Sequence, residues 1–488
     1  MLPPLSARTG LLCCAVVFCF LPILKGQILT SQSGEYHVGG AISGDQLFPC
    51  VSINSADGYV AWEDNRVDAN NGHGIAALRL DASFAAKGSI FRVNQQAAGD
   101  QGKPQVLLLN NGNALFVWES RQGARSGVFA RVVDVNGNFV TGDVLVNRPS
   151  STELLKQSTN WFGFYRNRWK QRRFKFRDRI ENIREQVGSV AAGALPDGGA
   201  VVAFQAVRRV ETNTWGLVRQ VRSSGSRSTT NDLLRPLRYA GDWMQDVFCQ
   251  RLDSAGRKVG SEMLVNQSVD FNQRSPGLAV LPNGNFVVVW ISESPRSGNW
   301  RDNFRVSVMG RICNGQGEPV GDEFAVAAGD DLVHANPVVG ALAGGGFTVL
   351  WSQQEAMDSR HWDVYGRAFG ADATPAGPAF RVNAYTTGDQ FGPKVAGIGD
   401  QQLVVWTSVG QDGSREGVYG RLLAAGVLAG EEFRLNTTTV SRQIHPTVAA
   451  DGRNRWVSVW ASYVGETGFD LFGQSFSIGG GQSALLKP

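Results

Sequence analysis

Residues 276–290 read PGLAVLPNGNFVVVW and residues 337–351 read PVVGALAGGGFTVLW. Each stretch is a short apolar run, a Gly-centred turn, and a second apolar run that stops at an aromatic residue. NGN, GGG and the DGG at 197–199 supply the positive φ that a tight hairpin turn needs. Runs that are apolar at almost every position predict inner strands covered on both faces. The pair recurs seven times, ending at Trp62, Trp118, Phe204, Trp290, Trp351, Trp406 and Trp460. Its members are strands A and B of a repeat.

A second hairpin, strands C and D, follows after a variable loop, as in GVFARVVDVNGNFVTGDVLVN at 127–147 and GVYGRLLAAGVLAGEEFRLN at 417–436. Four antiparallel strands recurring about every 55 residues are the unit of a β-propeller blade. The intervals between aromatic anchors are 56, 86, 86, 61, 55 and 54 residues, so two of them carry extra chain. The seventh repeat ends at FDLFGQSFSI without an EFRLN-type strand, while GEYHVGGAISGD at 34–45 is unassigned. The expectation is that Glu35–Gly39 pairs into the last blade and closes the ring, removing the edges an open array leaves. The predicted fold is all-β: a seven-bladed β-propeller of four-stranded blades, closed by an N-terminal strand, with two basic insertions around blade three.

The rhythm GDQ..P.VA.L.DGGFVVVW.S, then G.YG.R, then EF.VN resembles repeats of secreted and surface proteins of bacteria. It is clearest in GDQGKPQVLLLNNGNALFVWES from Gly99 and GDQFGPKVAGIGDQQLVVWTS from Gly388, and covers nearly all of the chain after its first residues. Repeat three departs, with Phe204 at the Trp position and long inserts. The resemblance implies a propeller in an extracellular setting and implies no known reaction.

Composition agrees with many short strands: 59 Gly and 13 Trp among 488 residues, with 18% charged. Residues 1–27 read as a signal peptide, with Arg8 ahead of an apolar run from Leu11 to Leu24. The expected location is therefore secreted, periplasmic or at the cell surface; a retained anchor is the alternative, because Gly26/Gln27 is a poor cleavage junction. The propeller is expected over 28–478 and a tail over 479–488. Beyond the leader only Cys50, Cys249 and Cys313 remain, too few for a disulfide framework, and buried single thiols are expected.

In a propeller blade the D-to-A and B-to-C connections leave by one face, and here that face carries the long loops, where function usually resides. Both insertions, 149–186 and 207–243, belong to it and emerge side by side at blade three. Their charges sum to about +6 and about +4, against a whole-chain net of +4, so the positive charge is local. Phe176, Ile180, Ile183 and Val187 recur at helical spacing, which predicts an amphipathic helix with a basic outer face. The insertion reads either as a lid or as a receptor surface. Arg166, Arg168, Lys170, Arg172, Arg173, Lys175 and Arg177 would meet carboxylate or phosphate, while Trp161, Tyr165 and Trp169 would stack on sugar rings. The expected partners are an anionic glycan, an anionic membrane surface or a protein; export and the lack of a binding motif argue against nucleic acid.

The GDQ carboxylates Asp45, Asp100 and Asp389, with Gln46, Gln101, Gln390, Gln273 and Gln443 in comparable places, are expected at the axial mouth, as turn caps first and as Ca²⁺ ligands second. No other cofactor or metal is called for: the five histidines lack ligand spacing, and His445 is expected to face the mouth. For a glycoside-hydrolase-like alternative, the candidates are Glu63, Asp64 and Glu119, just after strand B; a structural surface-array role is a third reading. Asn266 and Asn436 stand in formal glycosylation sequons.

Overall fold

The computed structural model describes residues 29–68, 72–122, 125–148, 165–167, 170–172, 187–207, 215–224, 227–236, 245–269, 271–295, 304–329, 332–355 and 361–478. The repeats form seven antiparallel sheets. Their inner strands A are Gln46–Ile53, Asp100–Leu108, Val187–Ala194, Gln273–Val280, Leu332–Ala341, Gln390–Ile398 and Gln443–Ala450. Each lies beside the next, and the last returns to the first: a closed seven-bladed β-propeller. The anchors lie within strands B, and all seven are at most 1% exposed. They fill the layers between neighbouring blades, where each is worth about 3–5 kcal/mol against Ala.

The last blade takes its outer strand from the N-terminus. Leu29–Ser31 and Tyr36–His37 both pair with strand C of blade seven, Phe469–Ile478, with Tyr36 opposite Gly473 and His37 opposite Phe472. Glu35 Oε2 accepts from the backbone N–H of Thr437 (2.6 Å) and Thr438 (2.8 Å). Asp143, Glu262, Glu323 and Glu432 do the same from strands D of their own blades, each accepting a backbone N–H that follows strand D of the blade before. Residues 29–39 therefore carry an outer strand complete with its inter-blade carboxylate.

The repeat motif is mostly joinery. In G.YG.R, the Nη1 of Arg131, Arg311, Arg367 and Arg421 donates to a strand-D carbonyl of the preceding blade, and Nε to a carbonyl in its own C-to-D turn. In EF.VN, the Oδ1 of Asn94, Asn147, Asn266, Asn383 and Asn436 accepts the N–H of Ile75, Val128, Val247, Val364 and Val418 in strand C, all at 2.8 Å. The same bonds bear on the two sequons. Asn266 and Asn436 are each 1% exposed, and their Nδ2 groups donate to Asp246 and Asp412, so a glycan has no place there in the folded chain. Cys50, Cys249 and Cys313 are buried free thiols.

Both insertions leave the same end of blade three, the first between Arg148 and Val187, the second between Val207 and Gln245. Their described residues form two hairpins, Tyr165–Asn167 with Lys170–Arg172, and Trp215–Ser224 with Arg227–Pro236. Phe176, Ile180 and Ile183 of the expected helix lie outside the described residues. Val187, its fourth member, is instead the first residue of strand A, paired with Ala206.

Candidate functional site at the axial mouth

Every strand A breaks register once near its start, two residues after its first ladder position in five blades, three in blade two and four in blade five. At this bulge Phe48, Lys103, Ser189, Ser275, Asn336 and His445 take φ of 50°, 49°, 51°, 55°, 50° and 54°, and Gly392 takes 67°. The left-handed region costs an L-residue on the order of 1 kcal/mol each, and a ring of such residues stands around the mouth. Pro follows in six of the seven blades, removing a donor where the bulge leaves the ladder.

The bulge is held from the neighbouring blade. Glu119 Oε1 accepts the Ser189 N–H (2.6 Å), Glu63 Oε2 that of Lys103 (3.3 Å), Gln205 Oε1 that of Ser275 (2.7 Å), and Ser352 Oγ that of Gly392 (3.0 Å). Glu63, Glu119, Gln205 and Ser352 each follow the strand-B anchor directly. The candidate acids Glu63 and Glu119 therefore serve successive blade interfaces. A Cβ at Gly102 would overlap Glu63, and one at Gly188 would lie 2.9 Å from Glu119 Oε2, so glycine gives each carboxylate its path. Their other oxygens meet mouth side chains: Glu63 Oε1 lies 2.6 Å from His73 Nδ1, and Glu119 Oε2 accepts from Arg121 at 3.3 Å. Asp64 is buried and accepts from Trp62 Nε1 (3.0 Å) and from the N–H groups of Arg66 (2.7 Å) and Val67 (2.9 Å).

The GDQ elements are joints as well. Asp45, Asp100 and Asp389 accept the backbone N–H of Phe469, His73 and Trp362 at the start of strand C in the blade before. The buried Gln46, Gln101, Gln390 and Gln443 donate to carbonyls two or three residues upstream. The capping role accounts for all of these bonds. Of the ten insertion residues singled out by sequence, Tyr165, Arg166, Lys170 and Arg172 lie in the short hairpin, Tyr165 opposite Arg172. Trp161, Arg168, Trp169, Arg173, Lys175 and Arg177 lie outside the described residues.

His445 does reach the mouth, stacked on Phe48 with centroids 4.0 Å apart. Burial first, and the Lys394 charge second, push its pKa down to about 4. An unfolded imidazole titrates near 6.5, so between pH 6.5 and 4 the unfolded chain binds the extra proton. Stability is full above pH 6.5 and falls through that window by roughly 2–3 kcal/mol. Urea unfolding from pH 7.5 to 4.5 should show this loss. His445→Asn, which tolerates the left-handed backbone, should flatten that part of the curve; an unchanged slope would remove His445 as its cause.

By sequence the chain matches no protein-family model and no curated protein. By structure it is similar to a Dyadobacter fermentans protein of unknown function, at TM-score 0.49 and 11% identity over 92% of this chain and 99% of that one. It is also similar to an α-L-arabinofuranosidase of Fusarium graminearum in complex with an iminosugar inhibitor, at TM-score 0.46 and 10% identity over 92% and 98%. A third likeness is to an α-L-arabinanase of Penicillium chrysogenum complexed with arabinobiose, at TM-score 0.47 and 9% identity over 92% and 99%.

Proposed function

We propose that the protein is an exported binding module that holds an acidic polysaccharide on the long-loop face at blade three. One observation carries the reading: the two insertions that concentrate the positive charge of the sequence join the propeller at the same end of one blade. A rigid ring presenting adjacent basic segments rich in Arg and Trp suits a polyanion whose sugar rings offer stacking faces. Blade three is also the one blade with Phe204 in place of the Trp anchor, as suits a blade adapted to carry insertions.

The test compares the chain from residue 28 with a variant lacking 150–186, on immobilised polygalacturonate and on neutral dextran at low and high salt. Binding to polygalacturonate alone, weakened by salt and reduced at least about tenfold by the deletion while the unfolding transition is kept, is the expected result. Equal binding by both proteins would overturn it. Release of reducing ends in the same incubations would favour the glycoside-hydrolase alternative.

A further inference from the structure

The axial channel holds a cation that nothing in the described protein balances. Lys394 follows Pro393 in strand A of blade six, directly after the bulge. The equivalent places in blades one, two and seven are Cys50, Gln105 and Thr447, and blades three to five have small or apolar residues there. Lys394 is the one charged residue at this level. Its neighbour Val395 turns to blade five, where it meets Gly340, so Lys394 turns the other way, toward blade seven. Its charge reaches His445 in blade seven and Cys50 in blade one. The side chain is open to solvent, yet burial among the inner strands holds its ammonium below the usual lysine range, with Cys50 opposing weakly. That combination describes a side chain in the water of the channel.

Two nearby cations are neutralised: Lys103 Nζ lies 3.7 Å from Glu119 and Arg274 Nε 2.7 Å from Glu293. The Lys394 ammonium has no hydrogen bond or ion pair among the described residues. Beside it, the Nδ1 of His445 is buried without a partner, and the Phe48 ring stacked on that imidazole supplies an apolar wall. A partly desolvated charge without a counterion is a standing cost that a bound anion would relieve.

We propose that the axial channel is a binding site for a small ligand bearing a carboxylate or phosphate, which would meet Lys394, with His445 as a second polar contact and Phe48 against the ligand's body. The site is independent of the insertions at blade three, so deleting 150–186 should leave it intact, and failure of either reading would not be failure of the other.

Competitive labelling with acetic anhydride between pH 7 and 11, read by peptide mass spectrometry, tests it. D-galacturonate and inorganic phosphate are the probes, each at about 10 mM, enough to fill a millimolar site. Lys394 should acetylate at lower pH than Lys103, and a bound anion should slow it at least about fivefold while Lys103 is unaffected. Protection by galacturonate alone would identify a uronate-type carboxylate, by phosphate alone a phosphate monoester, and by both a general anion site. Calorimetric titration of the protecting probe should lose its heat in Lys394→Gln and keep it in Lys103→Gln. Labelling of Lys394 that neither probe slows would overturn the proposal, as would a Lys394 that acetylates only after unfolding.

Discussion

A chain beginning at Gly40 should lose several kcal/mol of stability and unfold in more than one step. Residues 29–39 contribute Val38, 3% exposed, and the partly buried Tyr36, whose hydroxyl donates to the Phe84 carbonyl at 3.2 Å. Burying one such side chain is worth about 1.5–3 kcal/mol. To this add Val38 N–H on Leu471 O (2.9 Å), Gln32 N–H on Ser475 O (2.8 Å), the Glu35 bonds to Thr437 and Thr438, and the strand pairs themselves, each worth about 1 kcal/mol. The sum approaches the whole stability of an ordinary domain, about 5–15 kcal/mol. Truncation would also bare the edge of Phe469–Ile478, a template for pairing between chains. Urea unfolding with size-exclusion chromatography should therefore show an early transition and self-association. Full, single-step stability in the truncated chain would mean that the ring does not depend on its closing strand. Tyr36→Ala should fall between the two proteins.

The ring was legible because each repeat spells its joints. The anchors, the Gly turns and the D strand missing from the seventh repeat place seven blades and predict how the chain closes. The G.YG.R arginine and the EF.VN asparagine recur because the same carbonyl and the same N–H need a partner at most interfaces. The mouth was less legible for a chemical reason. Phe48, Lys103, Ser189, Asn336 and His445 share a backbone conformation rather than a side-chain type, so only the proline after most of them betrays the bulge. The groups that satisfy it are Glu, Glu, Gln and Ser, interchangeable as acceptors and unlike as letters. Glu63 and Glu119 thus looked like paired acids when read in isolation. Lys394 stood out in no motif, since its meaning lies in facing Cys50 and His445, hundreds of residues earlier and about fifty later, across a ring that only the fold assembles. The helical spacing that ends at Val187 runs past the insertion into an inner strand, where an apolar residue is demanded for another reason.

Glu119→Ala should cost about 2–3 kcal/mol, the upper part of the range for leaving a buried N–H without its acceptor. Glu119 is 3% exposed, and its loss would strand the Ser189 N–H at a residue already held at φ 51°. It would also leave Lys103 and Arg121 without their carboxylate. Because those two cations are about half or more exposed, at 48% and 62% of their side chains, water takes up their share, and the N–H carries most of the cost. Glu119→Gln keeps an oxygen for Ser189 and should cost only about 1 kcal/mol. Gln205 already does this at the next interface, accepting Ser275 N–H at 2.7 Å. The pair of variants separates joint from catalyst. A structural acceptor gives a large loss in Ala and a small one in Gln, with polysaccharide binding intact in Gln. A catalytic acid would give the opposite emphasis, with Gln as stable as the parent but inert toward any glycan the parent cleaves. Stability measured by urea unfolding, alongside reducing-end release, decides between them, and equal stability of Ala and parent would show that the bulge at Ser189 stands without its neighbour.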